Sequence, residues 1–108
     1  MNSKRKGNSG ELEILHLLEQ YGIPCQRNDQ RYKGGVDNPD IGAEIGGAPI
    51  HIEVKRCEAL SIYAAMEQAA HDANGHALPV VCHRRNNEPW LIVARLEDVL
   101  TALGYLPF

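Results

Sequence analysis

Apolar residues Ile14, Leu15, Leu18 and Tyr21 recur at helical spacing behind Asn8-Ser9-Gly10-Glu11, which resembles an N-terminal cap with its glutamate, and Gly22 with Pro24 ends the pattern. The spacing predicts a first helix over residues 9–21. Residues 25–28 read as a short strand, and a polar, glycine-containing loop follows through Asn38. A loop that long in so short a chain is more often functional than idle. Beyond it, Ile41, Ala43 and Ile45 alternate with polar or glycine positions, Gly46-Gly47 follows, and Ile50, Ile52 and Val54 alternate again. That pattern predicts a β-hairpin over 40–56. Ser61 opens a second helix with the stripe Ile62, Met66, Ala69, Ala70 and Ala73, closed by Gly75. Residues 78–83 and 90–94 read as strands joined by the polar turn Arg84-Arg85-Asn86-Asn87-Glu88, and a last helix over 96–103 ends at Gly104. The order helix, three strands, helix, two strands, helix predicts an α/β domain with a mixed sheet, without internal repeats.

Composition narrows this picture. A chain of 108 residues with 44% hydrophobic content suits one domain with a modest core, spanning 1–108. No apolar run approaches the roughly 20 residues of a membrane span, and the start Met-Asn-Ser-Lys-Arg-Lys-Gly is charged where a secretion signal is apolar. A cytoplasmic protein without membrane association is expected. Cys25, Cys57 and Cys82 are odd in number and lack a Cys-x-x-Cys pair, so they read as reduced thiols. The net charge of -3 argues against a non-specific DNA coat. It leaves an enzyme open, because the basic residues are grouped and several carboxylates are candidate metal ligands.

The hairpin pattern places those carboxylates. A slip of one residue would oppose the apolar face of one strand to the polar face of the other. Only registers with Ile41 across from Ile52 or Val54 keep one apolar face, and they set Asp40 opposite Glu53 or Lys55. His51, Glu53 and Lys55 then share the face of Asp40, at about 3.4 Å of rise per residue. Two carboxylates and an ammonium gather at one end of the hairpin. Carboxylate oxygens are the ligands Mg²⁺ prefers, and a lysine beside them can orient a metal-bound water or stabilise charge on phosphoryl oxygens. Glu11 lies on the stripe of Ile14, Leu15 and Leu18, so it faces inward. It either reaches the metal or its water, or completes the helix cap and opposes the helix dipole. Taken alone, Glu-x-Lys on a strand is a solvent-facing pair, and Pro39-Asp40 is a strand-entry turn. The register, the shared polar face and the inward glutamate are three coincidences if no site exists.

Pro39-Asp40, twelve intervening residues and Glu53-Val54-Lys55, inside this element order, resemble the PD-(D/E)xK nucleases, and within them the archaeal-type Holliday-junction resolvases and their phage relatives. The matching stretches are Lys4-Arg5-Lys6-Gly7 with Glu11, Pro39-Asp40-Ile41, Ile52-Glu53-Val54-Lys55 and Glu67-Gln68-Ala69. The resemblance implies a restriction-endonuclease-like core (αβββαβ), a central mixed sheet flanked by helices, and a Mg²⁺-dependent, structure-specific DNA endonuclease with Mn²⁺ as a substitute ion. It implies Glu11, Asp40 and Glu53 as metal-associated acids, the Val54 carbonyl as a further ligand, Lys55 as the catalytic lysine and Gln68 beside the site. Lys4, Arg5 and Lys6 would touch DNA backbone, and the partners would be branched DNA and a second copy of the chain. Arg27, Arg31, Lys33 and Arg56 are the other phosphate-contact candidates; any basic group taken alone reads as a solvated surface. The resolvases carry a serine in the loop after the first strand, whereas residues 28–38 contain none.

Two rival readings stand beside this one: a VRR-NUC-type or other PD-(D/E)xK nuclease acting on flaps or duplex, and a non-catalytic DNA-binding module of the same fold. His16, His71, His76 and His83 show no ligand spacing, and His51 is the exception because it shares the face of Glu53. Trp90 reads as packing within its apolar strand.

Overall fold

The structure, a computed structural model, describes residues 3–27 and 40–108, with side chains from 9–27 and 41–108. Helix α1 (Ser3–Gln20) leads into β1 (Cys25–Arg27). Strands β2 (Asp40–Ile45) and β3 (Ala48–Arg56) form the expected hairpin, and α2 (Ile62–Ala73) leads to β4 (Leu78–Arg84). Strand β5 (Leu91–Ala94) and helix α3 (Leu96–Ala102) follow. Among the described residues the strands form one mixed sheet in the order β1-β2-β3-β4-β5. Only β3 and β4 run parallel there. A parallel pair requires a crossover, and α2 supplies it. The candidate residues Arg31 and Lys33 lie outside the described residues.

The hairpin turns at Gly46 and Gly47, with φ of 60° and 83°, the left-handed backbone that a two-residue hairpin loop demands. This turn fixes the register with Ile41 opposite Ile52 and Asp40 opposite Glu53. Of the two registers the alternation left open, the structure adopts that one.

Each face of the sheet is covered by its own helix. Ile14 and Leu15 of α1 pack on Ile41, Ile50, Ile52, Val54, Val80 and Cys82. On the opposite face, Ala65, Met66 and Ala69 of α2 pack with Val81. Five consecutive β3 residues, Ile50 to Val54, are consequently buried, and burial pushes the Cys82 thiol up to about 12. The polar face of the hairpin is therefore not solvent-facing at His51 and Glu53, which lie beneath α2.

Helix α1 starts at Ser3 rather than near residue 9, so Asn8-Ser9-Gly10 is interior helix and not a cap. Glycine costs about 1 kcal/mol in such a position, and tertiary packing accounts for its presence. A Cβ on Gly10 would stand 2.8 Å from the Cβ of Arg56 and 3.3 Å from the Trp90 ring. The smallest residue thus lets α1 lie directly on β3. Glu13, one turn on, accepts a hydrogen bond of 3.2 Å from Trp90 Nε1 and pairs with Arg56 at 3.7 Å and Arg84 at 3.3 Å. The Arg84 guanidinium lies 5.9 Å from the centre of the Trp90 ring. Arg56 and Arg84 are neighbours across β3 and β4, and Glu13 offsets their mutual repulsion.

Gly10→Ala is expected to lower stability by about 1–3 kcal/mol, because the new methyl meets backbone-anchored carbon rather than a flexible tip. Urea unfolding checks this; unchanged stability would show that α1 and β3 separate at no cost.

Smaller differences have local causes. Trp90 precedes β5 instead of belonging to it, since its ring turns onto α1. The left-handed cap of α2 begins at Asn74, with φ 49° and ψ 38°, one residue before Gly75. Helix α3 is one residue shorter than predicted and buries no side chain.

Candidate active site

Strand register builds the centre of the site. Asp40, the first residue of β2, stands opposite Glu53 of β3, and the next rungs pair Ile41 with Ile52 and Gly42 with His51. Glu53 is 0% exposed and His51 7%. Gly42 brings no side chain to the face above His51. On the β4 side, Glu53 neighbours Val81 and Lys55 neighbours His83. Lys55 extends past the start of β2, two residues beyond Glu53 on the same face and about 7 Å along the strand, and it is half-buried. Val54 turns its side chain into the core beneath α1, the alternation that sends Glu53 and Lys55 to the α2 face.

Helix α2 adds a residue that the sequence pattern had not singled out. Ligand atoms of His51, Glu53 and Asp72 all lie within 4.8 Å of one another, with His51 Nε2 3.8 Å from Glu53 Oε2. Gln68 Nε2 reaches both Asp72 carboxylate oxygens at 3.1 Å. Gln68 thus lies one hydrogen bond from the cluster. The signal that could have found Asp72 is the inner stripe of α2: Ala65, Gln68, Ala69, Asp72 and Ala73 follow i, i+3, i+4, i+7 and i+8. The apolar members alone gave the helix and hid its polar edge.

Glu11 is 0% exposed, as its stripe predicted, and Arg27 donates to its carboxylate. Since α1 begins two turns earlier, Glu11 does not cap it. Arg27 stands opposite Ile41, so the Glu11–Arg27 pair lies on the α1 face, one rung from Glu53 on the other. Acids from both faces therefore occupy the same end of the sheet. Burying a carboxylate costs several kcal/mol unless partners offset it, which makes two fully buried glutamates in so small a core a strong departure from packing needs alone.

The basic candidates divide. Arg27 is held by Glu11, and Arg56, with 12% of its side chain exposed, by Glu13. Lys4, Arg5 and Lys6 lie on the first turns of α1. His83, set aside as a ligand, has Nε2 2.9 Å from the Cys57 carbonyl oxygen and fastens the exit of β3.

A divalent cation fits this donor set. Hard carboxylate oxygens come from β3 and α2, an imidazole stands beside them, and a cleft of about 660 Å³ lined by Gly42, His51 and Asp72 opens next to the cluster.

No protein-family model matches the chain, and no curated protein matches it. Among solved structures, the fold is similar to that of Hjc, a Holliday junction resolvase from the archaeal hyperthermophile Archaeoglobus fulgidus. The TM-score is 0.62 at 27% identity, covering 82% of this chain and 72% of that one. The mixed sheet between α1 and α2 is a restriction-endonuclease-like fold, and in motif and fold alike the chain is similar to the PD-(D/E)xK nucleases, in particular to an archaeal Holliday-junction resolvase.

Proposed function

We propose that the protein is a Mg²⁺-dependent DNA endonuclease that acts on branched DNA as a resolvase does. The observation that carries this reading is the fully buried Glu53, opposite Asp40 and on the same strand face as Lys55. Likeness to a Holliday junction resolvase supports a nuclease-like role for such a cluster. Asp40, Glu53 and the Val54 carbonyl would hold the ion, with Glu11 reaching it directly or through water. When bound, Mg²⁺ supplies Lewis acidity at the scissile phosphate and lowers the pKa of a coordinated water.

Each side chain then has a definite task. Lys55 orients the attacking water and meets the negative charge that grows on the phosphoryl oxygens. Gln68 positions Asp72 in the cluster, and Arg27 fixes Glu11. Phosphate contacts fall first to Lys4, Arg5, Lys6, Arg31 and Lys33, because Glu11 and Glu13 hold Arg27 and Arg56.

A homodimer belongs to the same proposal, since two opposed strands of a junction need two sites. Its support is the apolar exposure at the β5 end of the sheet, where Leu91 and Ile92 of the edge strand are 58% and 64% exposed. Leu96 and Leu103, on and after α3, are exposed as well. Apolar surface gathered on an edge strand marks an association site.

Comparison of labelled four-way junction, flap and linear duplex at one fixed salt concentration tests the substrate, because backbone-driven affinity shifts steeply with ionic strength. Paired cuts on the junction alone are expected. Equal cutting of all three would replace the resolvase by a generalist PD-(D/E)xK nuclease, and binding without cutting by any divalent ion would leave a DNA-binding module.

A further inference from the structure

We infer that His51 and Asp72 are ligands of the metal centre, making it a mixed nitrogen and oxygen site that takes Mn²⁺ in preference to Mg²⁺. This rests on the reading of Glu53 as a metal ligand and deepens it. The three ligand atoms already lie within 4.8 Å of one another, and the 3.8 Å between His51 Nε2 and Glu53 Oε2 suits two ligands of one ion. With bonds of about 2.1 Å, neighbouring ligands stand about 3 Å apart and opposite ones about 4.2 Å. Only small side-chain movements separate the arrangement from coordination.

Three features of the surroundings favour ligation over packing. His51 is 7% exposed and shares the α2 side of the sheet with a buried carboxylate, so its ring nitrogen is directed at the cluster and not at bulk water. Gln68 engages both oxygens of Asp72, the kind of supporting contact that orients a ligating carboxylate. The adjoining cleft, lined by Gly42, His51 and Asp72, gives a hydrated ion a path to His51 and Asp72, two of the three ligands.

Ion choice follows from the donors. Mg²⁺ takes oxygen ligands and gives up its waters reluctantly. Imidazole favours first-row transition ions, and affinity at nitrogen-containing sites rises from Mn²⁺ onward. A histidine within an otherwise carboxylate site therefore tilts selection toward Mn²⁺.

Electron paramagnetic resonance of the full chain titrated with Mn²⁺ tests this. The free-ion signal gives affinity, and the electron spin echo shows whether nitrogen is bound. Wild type is expected to show nitrogen modulation that His51→Gln loses. That variant should bind Mn²⁺ at least about tenfold more weakly, while Mg²⁺ affinity, read by competition, changes less than about threefold. Wild type with bound Mn²⁺ and no nitrogen modulation overturns the inference without any variant having to fold. Equal weakening of both ions in His51→Gln also overturns it. Retained tight Mn²⁺ binding in Glu53→Gln would instead overturn the metal centre itself, whereas its loss there without nitrogen coupling in wild type removes only His51.

Discussion

Glu53→Gln is expected to lower the rate of Mg²⁺-dependent DNA cleavage by about 10³-fold or more, because the metal's share of transition-state stabilisation is several kcal/mol and each 1.4 kcal/mol or so is tenfold. Glutamine keeps the shape of a fully buried side chain and removes the charge that an ion requires. The variant should therefore fold, show an unchanged far-ultraviolet circular dichroism spectrum and still bind DNA. Single-turnover cleavage beside fluorescence anisotropy separates these effects. A folded variant that cuts at the wild-type rate would remove Glu53 from the chemistry and reduce its burial to an unexplained feature of the core.

Lys55→Met should cost about 10²–10³-fold in the single-turnover rate, the size expected when a positioned charge no longer meets the developing anion. Affinity for DNA should change little, since the lost contact acts in the transition state. Methionine preserves the stem of a half-buried side chain. The neighbouring residue provides the contrast. Arg56 lies on the opposite face of β3 and pairs with Glu13, so Arg56→Met should reduce stability and spare the chemical step. If the two substitutions acted alike, the alternation that divides these neighbours between site and scaffold would have no functional meaning.

Strand alternation made the register beneath the candidate site legible in the sequence. Ile41 and Ala43 on one strand and Ile50, Ile52 and Val54 on the other admit few registers, and the one adopted sets Asp40 against Glu53. The inward face of Glu11 followed from helical period in the same way, and it is fully buried. Where tertiary contact decides, local pattern fell short. Asn8, Ser9 and Gly10 read as a helix boundary by propensity, yet the helix continues through them because Gly10 fits against Arg56 and Trp90. Nothing near Glu13 in the sequence marks it as the partner of Arg56, Arg84 and Trp90, residues more than forty positions away. Burial of His51 and Glu53 depended on α2 lying over them, which periodicity in β3 does not show, and Asp72 was hidden for the same reason.

Cleavage of labelled four-way junction by chelator-treated protein, before and after Mg²⁺ is restored, tests the central claim most directly. Metal-dependent metallochemistry at Glu53 predicts intact DNA under chelator and paired cuts once Mg²⁺ returns, with no recovery in Glu53→Gln. Cleavage that persists under chelator, or that Glu53→Gln regains with Mg²⁺, would contradict it.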